Sequence, residues 1–335
     1  MMTRRGFVAA SAAAGALMAA PKKVQMGVAA TCYLSFRRYR DTNEFVDHCH
    51  DLGAGGAQIS MSSFEPDFVK GIREKSERYG MYFETMGALP GEDSAPFEKA
   101  MKASKEAGAL CLRAACLGGR RYETFSTLAD WRSFVDKSMT AVDKAVRIAE
   151  RMKFPLALEN HKDWTAEEYL KLIEKYAGPY FGACLDTGNN ISLLDDPMEL
   201  ITKLAPYTIS THIKDMAVDE YPKGFLLSEV VMGTGMLDLA KVISIISKAR
   251  PKTKMTLEMI TRNPLEIPCL TDKYWETFPN RNGLAMARTL SMVRAKKSAK
   301  PLPRTDGLSK EAQLKVEEDN VVACLQYAAG MPGLA

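Results

Sequence analysis

Four short apolar runs in the second half of the chain each end in a residue able to bind a metal. They are Phe154-Pro-Leu-Ala-Leu-Glu159, Phe181-Gly-Ala-Cys-Leu-Asp186, Tyr207-Thr-Ile-Ser-Thr-His212 and Lys254-Met-Thr-Leu-Glu258. Each run reads as a buried strand with the ligand at its C-terminal end. Successive ligands lie 27, 26 and 46 residues apart. A strand, its helix and their turns take about 30 residues, so the first two gaps are single strand–helix units. The longer last gap leaves room for an active-site loop. In a parallel sheet the C-terminal strand ends gather on one rim, where ligands bind. Glu159, Asp186, His212 and Glu258 on that rim form an oxygen-rich set with a single imidazole. Such a set suits one Mn²⁺, Mg²⁺ or Co²⁺ ion, and Zn²⁺ less well.

Other ionisable residues fall near the same rim. Strand side chains alternate in direction, so His161 can face the same way as Glu159, Lys214 the same way as His212, and Cys184 the same way as Asp186. His161 is a candidate hydrogen-bond or acid–base group, and Lys214 a candidate to stabilise an oxyanion or pair with a carboxylate. Glu84, in Tyr82-Phe-Glu-Thr-Met86, reads as a further rim carboxylate, either a substrate contact or a salt-bridge partner. Arg113 can bind substrate or satisfy an acid at the barrel bottom. Arg120 and Arg121, in Gly118-Gly-Arg-Arg-Tyr-Glu123, fall on a loop and are candidate substrate contacts. His48 and His50 lie on the first helix, away from the rim. The 19 methionines read as core filler.

The elements that must position these residues alternate strictly. Strand-like segments cover Val24–Leu34, Ala57–Met61, Met81–Gly87 and Ala109–Leu117, followed by the four ligand-bearing strands. Between them, 3.6-residue periodicity predicts helices at Thr42–Leu52, Pro66–Tyr79, Ser94–Ala107, Trp131–Met152, Thr165–Tyr176, Pro197–Leu204, Leu237–Ala249 and Gly283–Ala299. Thr165-Ala-Glu-Glu168 reads as a capping box and Asp196-Pro197 as a helix start. Gly53 and Gly178 stand where helix C-terminal glycines belong. Eight such repeats predict a (β/α)₈ TIM barrel over residues 21–299. The first strand lacks the Gly-x-Gly-x-x-Gly turn of a dinucleotide fold. Gly233-Thr-Gly235 is too short a match to count as a phosphate loop. Residues 300–335 read as a C-terminal helical extension that packs on the barrel or on a partner subunit of a homo-oligomer.

The chain has 335 residues, 46% hydrophobic and 26% charged, which is ordinary globular composition. Its first 20 residues differ. Thr3-Arg4-Arg5-Gly6-Phe7-Val8 leads into an Ala-rich apolar run to Ala20 that is too short to span a membrane. This pattern predicts a twin-arginine-type signal, hence the twin-arginine export machinery as a partner and a periplasmic or extracytoplasmic location. Such a location implies an extracytoplasmic, unphosphorylated substrate. Removing those residues takes two arginines and no acids, and lowers the net charge from +4 to +2. A near-neutral chain is a poor nucleic-acid binder. The seven cysteines form no C-x-x-C pair and no disulfide framework.

The residues so placed resemble those of the sugar phosphate isomerase/epimerase superfamily, the xylose isomerase-like TIM barrels. The likeness runs from about Val24 to Ala299. It rests on Leu158-Glu159-Asn-His161, Leu185-Asp186-Thr-Gly-Asn189, Thr211-His212-Ile-Lys-Asp215, Gly233-Thr-Gly-Met-Leu-Asp238 and Leu257-Glu258. The resemblance implies that Glu159, Asp186, His212 and Glu258 bind one divalent metal, with Mn²⁺ the first choice. It also implies that Glu159 and Glu258 exchange protons with opposite faces of a bound sugar. The family's ketose 3-epimerases carry a histidine where this chain has Asn189. Asn189 is therefore a candidate substrate contact, and ketose 3-epimerase activity is not expected.

The implied chemistry is proton abstraction next to a carbonyl, through a metal-stabilised enediolate. Returning the proton gives an epimerase or isomerase, the first expectation. Expelling a leaving group gives a lyase or hydratase on 3-keto glycosides, oxidised sugars or inositols, the alternative. The superfamily's endonuclease branch needs a histidine-rich zinc cluster, and four histidines do not supply one. A non-catalytic sugar-binding barrel is disfavoured by the intact ligand set.

Overall fold

The computed structural model describes residues 23–335; the export segment expected at residues 1–20 lies outside the described residues. Eight parallel strands form the barrel wall: β1 (Gly27–Ala29), β2 (Gly56–Ile59), β3 (Tyr82–Met86), β4 (Leu112–Ala114), β5 (Leu156–Glu159), β6 (Phe181–Asp186), β7 (Thr208–His212) and, after an excursion holding the antiparallel hairpin β8 (Asp215–Tyr221) and β9 (Gly224–Val230), β10 (Thr256–Leu257). β1 pairs with both β2 and β10. The last seam closes where Ile213 bridges Leu257, with Ile213 N donating to Thr256 O at 2.8 Å and Glu258 N donating to Ile213 O at 3.0 Å. The fold is the expected (β/α)₈ barrel.

The helices pack outside as α1 (Thr42–Asp51), α2 (Pro66–Tyr79), α3 (Ala95–Glu106), α5 (Leu128–Met152), α6 (Ala166–Tyr176), α7 (Pro197–Leu204) and α8 (Leu239–Ala249), while the one-turn α4 (Arg121–Thr124) lies between β4 and α5 and joins a separate apolar cluster. The starts of α1, α5, α6, α7 and α8 follow side-chain caps. Thr165 and Glu168 form the reciprocal capping box of α6, and Asp196 accepts from Glu199 N at the start of α7. Gly53 takes the left-handed backbone expected after a helix (φ 74°), but Gly178 does not; there the chain turns directly into β6. Even-numbered residues of β5, Leu156 and Leu158, enter the main apolar layer between wall and helices. Ala157 points the other way and meets Cys111 and Cys184. All seven cysteines are unpaired.

At the floor of the barrel one side chain crosses two neighbouring strands. Tyr82 lies across Gly27 and Gly56, accepts from Gly27 N at 2.9 Å, and donates to Met255 O at 2.9 Å. A Cβ on Gly56 would sit 2.5 Å from the Tyr82 ring, so glycine is required for this crossing.

The wall strands are shorter than expected. The first apolar segment stops being strand after Ala29 and winds into a 3₁₀ turn over Ala30–Tyr33 that buries Cys32 and Tyr33. The segment around β4 keeps only Leu112–Ala114. The 46-residue gap holds an antiparallel hairpin, β8 (Asp215–Tyr221) and β9 (Gly224–Val230), rather than an irregular loop. β11 (Leu265–Ile267) adds to β9, and α9 (Asp272–Trp275) and α10 (Gly283–Lys296) pack beside it. A second apolar cluster, including Phe225, Leu227, Tyr274 and Phe278, holds this cap together. The C-terminal helix α11 (Lys310–Ala328) returns to the barrel: Val321, Cys324 and Leu325 join the main core, and Glu317 accepts the backbone N–H groups of Ser35, Phe36 and Arg37.

Candidate metal centre and active site

Glu159, Asp186 and His212 are the last residues of β5, β6 and β7, and Glu258 follows β10. All four are buried, and one ligand atom from each lies within 4.8 Å of every other. Ligands about 2.1 Å from one ion lie up to about 4.2 Å apart across it, so a small contraction closes the shell.

Each ligand is held by its unused atom. Asp186 Oδ1 accepts from Gly188 N and Asn189 N, both at 2.8 Å, which leaves Oδ2 facing the centre. Glu159 Oε1 accepts from Asn189 Nδ2 at 3.0 Å, which leaves Oε2. His212 Nε2 meets Gln58 Oε1 at 2.7 Å, and the other end of the Gln58 amide donates to Glu84 Oε2 at 2.8 Å. That chain fixes the Gln58 oxygen toward the imidazole. Nε2 therefore carries the hydrogen and Nδ1 presents its lone pair. Glu258 Oε1 lies 3.3 Å from His212 Nδ1.

The buried atoms Glu159 Oε2, Asp186 Oδ2 and His212 Nδ1 lack hydrogen-bond partners. Buried acceptors are rarely left so, and three aimed at one centre form a donor set whose chemistry fits a divalent cation. Arg113 contacts Glu159, and Lys214 contacts Glu258 and lies 2.7 Å from Asp186 Oδ2. These cations pair with the carboxylate oxygens, whereas His212 Nδ1 faces only the carboxylates of Glu159, Asp186 and Glu258.

The electrostatics favour ligation. Burial pushes the His212 pKa down to about 4, so the imidazole is neutral at physiological pH. Burial alone would raise the Glu258 carboxyl, but the neighbouring positive charge, that of the bonded Lys214 ammonium above all once His212 is neutral, holds it well below its usual range. Lys214 is held above its usual value because Asp186 and Glu258 outweigh the cost of burial.

A sequence profile of xylose isomerase-like TIM barrels matches residues 46–283, well over half of the chain. The chain belongs to the xylose isomerase-like TIM-barrel family. The solved structure of a D-psicose 3-epimerase with D-tagatose from Clostridium cellulolyticum H10 is similar in fold, with a TM-score of 0.54, 13% identity, and 82% of this chain and 99% of that one covered. The IolI protein with a bound zinc atom is similar too, with a TM-score of 0.51, 16% identity, and 82% and 99% covered. Among curated proteins, 3-oxo-isoapionate decarboxylase of Pectobacterium atrosepticum is 34% identical over 91 residues. That stretch is 27% of this chain and spans only 33% of the relative's length.

Within this xylose isomerase-like barrel, several expected site residues take other places. Glu84 is not on the rim. It lies in the barrel interior beneath His212, bonded by Gln58 and by Ser210 Oγ at 2.6 Å. One pleat of register separates the two levels, and a strand sequence alone does not reveal which is which. Asn189 is buried with its amide engaged at both ends, by Lys162 and by Glu159, so it positions a ligand. Arg120 pairs with Glu123 and makes no contact with the four ligands among the described residues. Arg121 is fully buried, stacked 3.6 Å from the Trp131 ring centroid and 4.1 Å from that of Phe278, and paired with Glu168 at 2.7 Å. It fastens the cap to α6 and cannot reach substrate. His161 lies just past β5; burial drives its pKa well below normal, and its Nδ1 has no partner. His48 bonds Tyr33 and His50 stacks on Tyr79, away from the rim as expected.

Gln58, Ser210, Lys162, Glu229 and Arg262 were not singled out from sequence. A lone glutamine inside an apolar strand was the available signal for Gln58; the others are paired only through space. Gly233-Thr-Gly235 also has a role. Gly233 N and Gly235 N donate to Asp215 Oδ2 at 3.0 and 2.8 Å, fixing the chain just after Lys214.

Proposed function

We propose that this protein is a divalent-metal-dependent sugar isomerase or epimerase, with Mn²⁺ as its ion. The observation that carries the reading is the convergence of Glu159, Asp186, His212 and Glu258 with three unsatisfied ligand atoms. Glu159, Asp186, His212 and Glu258 would hold the ion. When bound, it polarises a carbonyl and a neighbouring hydroxyl and so acidifies the C–H between them.

The chain's own residues do the rest. β5 and β10 stand three places apart around the barrel, so Glu159 and Glu258 reach the centre from nearly opposite sides. One carboxylate takes the proton and the other returns it to the opposite face, which is epimerisation; return to the adjacent carbon is isomerisation. Lys214, between Asp186 and Glu258, offsets negative charge that develops on the substrate oxygen. The neutral His161 imidazole offers Nδ1 to a substrate hydroxyl.

A lyase outcome is the second reading, favoured by the 91-residue likeness to a decarboxylase. Loss of carbon dioxide from a 3-oxo acid leaves an electron pair on the same carbon that deprotonation does, so one site serves both. Incubating the Mn²⁺-loaded protein with free ketoses and with 3-keto glucosides, in D₂O, separates the outcomes. A deuterated stereoisomer or aldose–ketose isomer supports the first reading and a released fragment the second. No deuterium exchange and no product with any of them would remove both.

We also propose export by the twin-arginine route, on the strength of Arg4-Arg5 and the Ala-rich run that follows. Changing both arginines to lysine should hold the protein in the cytoplasm; unchanged fractionation would refute this.

A further inference from the structure

Glu258 lies where the barrel wall runs out of backbone partners. β10 holds only Thr256 and Leu257, and its ladder to β1 ends at the pair Val28–Leu257. Toward β7 the backbone is still paired, since Thr256 O accepts from Ile213 N and Glu258 N donates to Ile213 O. Alternation along a strand turns the groups of Leu257 and Met259 the other way, toward β1. There β1 has already left the sheet for the turn over Ala30–Tyr33. The Cys32 thiol takes the vacant place. It donates to Leu257 O at 3.3 Å and accepts from Met259 N at 3.2 Å. One fully buried side chain thus makes both bonds that a longer β1 would have made, on the two residues flanking Glu258. A small apolar filler needs neither bond, whereas this thiol uses its donor and its acceptor.

Cys32 is itself held from outside. Its turn leads into Ser35, Phe36 and Arg37, whose N–H groups donate to the buried Glu317 carboxylate at 3.2, 3.0 and 2.9 Å. Glu317 belongs to α11, and the same side of that helix reaches two more segments at the mouth. Asn320 Nδ2 donates at 2.8 Å to Thr261 Oγ1, three residues past Glu258. Cys324 Sγ accepts from Met232 N at 3.4 Å, and the Tyr327 ring lies across Gly233. Spacings of three, four and three residues put Glu317, Asn320, Cys324 and Tyr327 on one stripe. A helix that only covers the wall needs an apolar stripe, which Val321, Leu325 and Ala328 provide. The stripe beside it grips the chain on both sides of Glu258.

We propose that Cys32 is a positioning residue that aims Glu258 at the metal centre, and that α11 holds Cys32 in place through Glu317. This rests on the metal-centre reading above and deepens it by carrying the support of the site into the C-terminal extension. Cys32 acts through the backbone. A tilt of the peptide groups beside Glu258 is magnified at its carboxylate, and misplacement by about 1 Å costs on the order of a hundredfold in rate.

The test is calorimetric titration of the metal-free full chain with Mn²⁺, below the melting temperature of every variant. Cys32→Ala should weaken Mn²⁺ binding by about tenfold. Cys32→Ser keeps a donor and an acceptor and should bind Mn²⁺ more tightly than Cys32→Ala does. A purely packing role gives the opposite order, because a buried hydroxyl fits an apolar site less well than a methyl group. Glu317→Gln should also weaken Mn²⁺ binding. Val321→Ala trims the apolar stripe of the same helix, and should lower the melting temperature with Mn²⁺ affinity unchanged. Wild-type affinity in Cys32→Ala, or Cys32→Ser no tighter than Cys32→Ala, would overturn the role of Cys32. Wild-type affinity in Glu317→Gln, or an equal loss in Val321→Ala, would overturn that of α11. Either result leaves the functional reading standing if the wild type binds Mn²⁺; a wild type that binds none removes both.

Discussion

The two ends of this barrel are built on opposite terms. At the floor, a single tyrosine crosses two glycines, and its hydroxyl is satisfied by Gly27 N and Met255 O. At the mouth, three carboxylates, an imidazole, a lysine and an arginine crowd together, and three ligand atoms stay without hydrogen bonds. The floor hydroxyl is satisfied by the fold itself. At the mouth the three unpartnered ligand atoms converge on one centre, each at a cost of about 1–3 kcal/mol unless a cation meets them. The comparison divides stability from chemistry along the barrel axis, as expected for strand ends of opposite polarity.

Substitutions at the two ends should therefore separate. The largest effect is expected for Glu159→Gln and Glu258→Gln. Each should lower turnover by at least about a thousandfold, with the melting temperature nearly unchanged. Near-normal kcat in either variant would break the acid–base assignment. Lys214→Met should cost roughly a hundredfold in kcat with little change in KM; an unaltered rate would leave Lys214 a structural counter-ion. Gln58→Leu should weaken Mn²⁺ binding by about 10- to 100-fold without touching a ligand, read by calorimetry. Unchanged affinity there would mean that the hydrogen bond to His212 Nε2 does not matter. The smallest effect on activity belongs to the floor. Gly56→Ala should destabilise the fold by about 1–3 kcal/mol in urea and leave kcat alone. Loss of activity at full occupancy of the folded state would erase the division between the two ends.

Much of this was legible in the chain because the barrel puts ligands where strands end. Glu159, Asp186 and His212 each close an apolar run, and that local pattern carries both the strand and the direction of its rim. The eightfold alternation fixed the fold in the same way. What was hidden depends on neighbours distant in sequence. Glu84 sits one level too deep because register, set by pairing with Gln58, decides height. Arg120 and Arg121 are adjacent, yet one meets solvent and the other is sandwiched between Trp131 and Phe278, a residue more than 150 positions away. The hairpin of β8 and β9 was missed because its short alternating runs were weaker than the buried runs on either side. The three-residue strands β1 and β4 were overextended because apolar residues beyond them are buried by helices and turns instead.

The most direct measurement is a calorimetric titration of the metal-free protein with Mn²⁺, repeated on Asp186→Asn and His212→Ala. The wild type should bind one ion per chain, with heat and thermal stabilisation that both variants lose. A wild type that takes up no divalent ion, or variants that bind it as tightly as the wild type, would contradict the four-residue centre on which the functional reading stands.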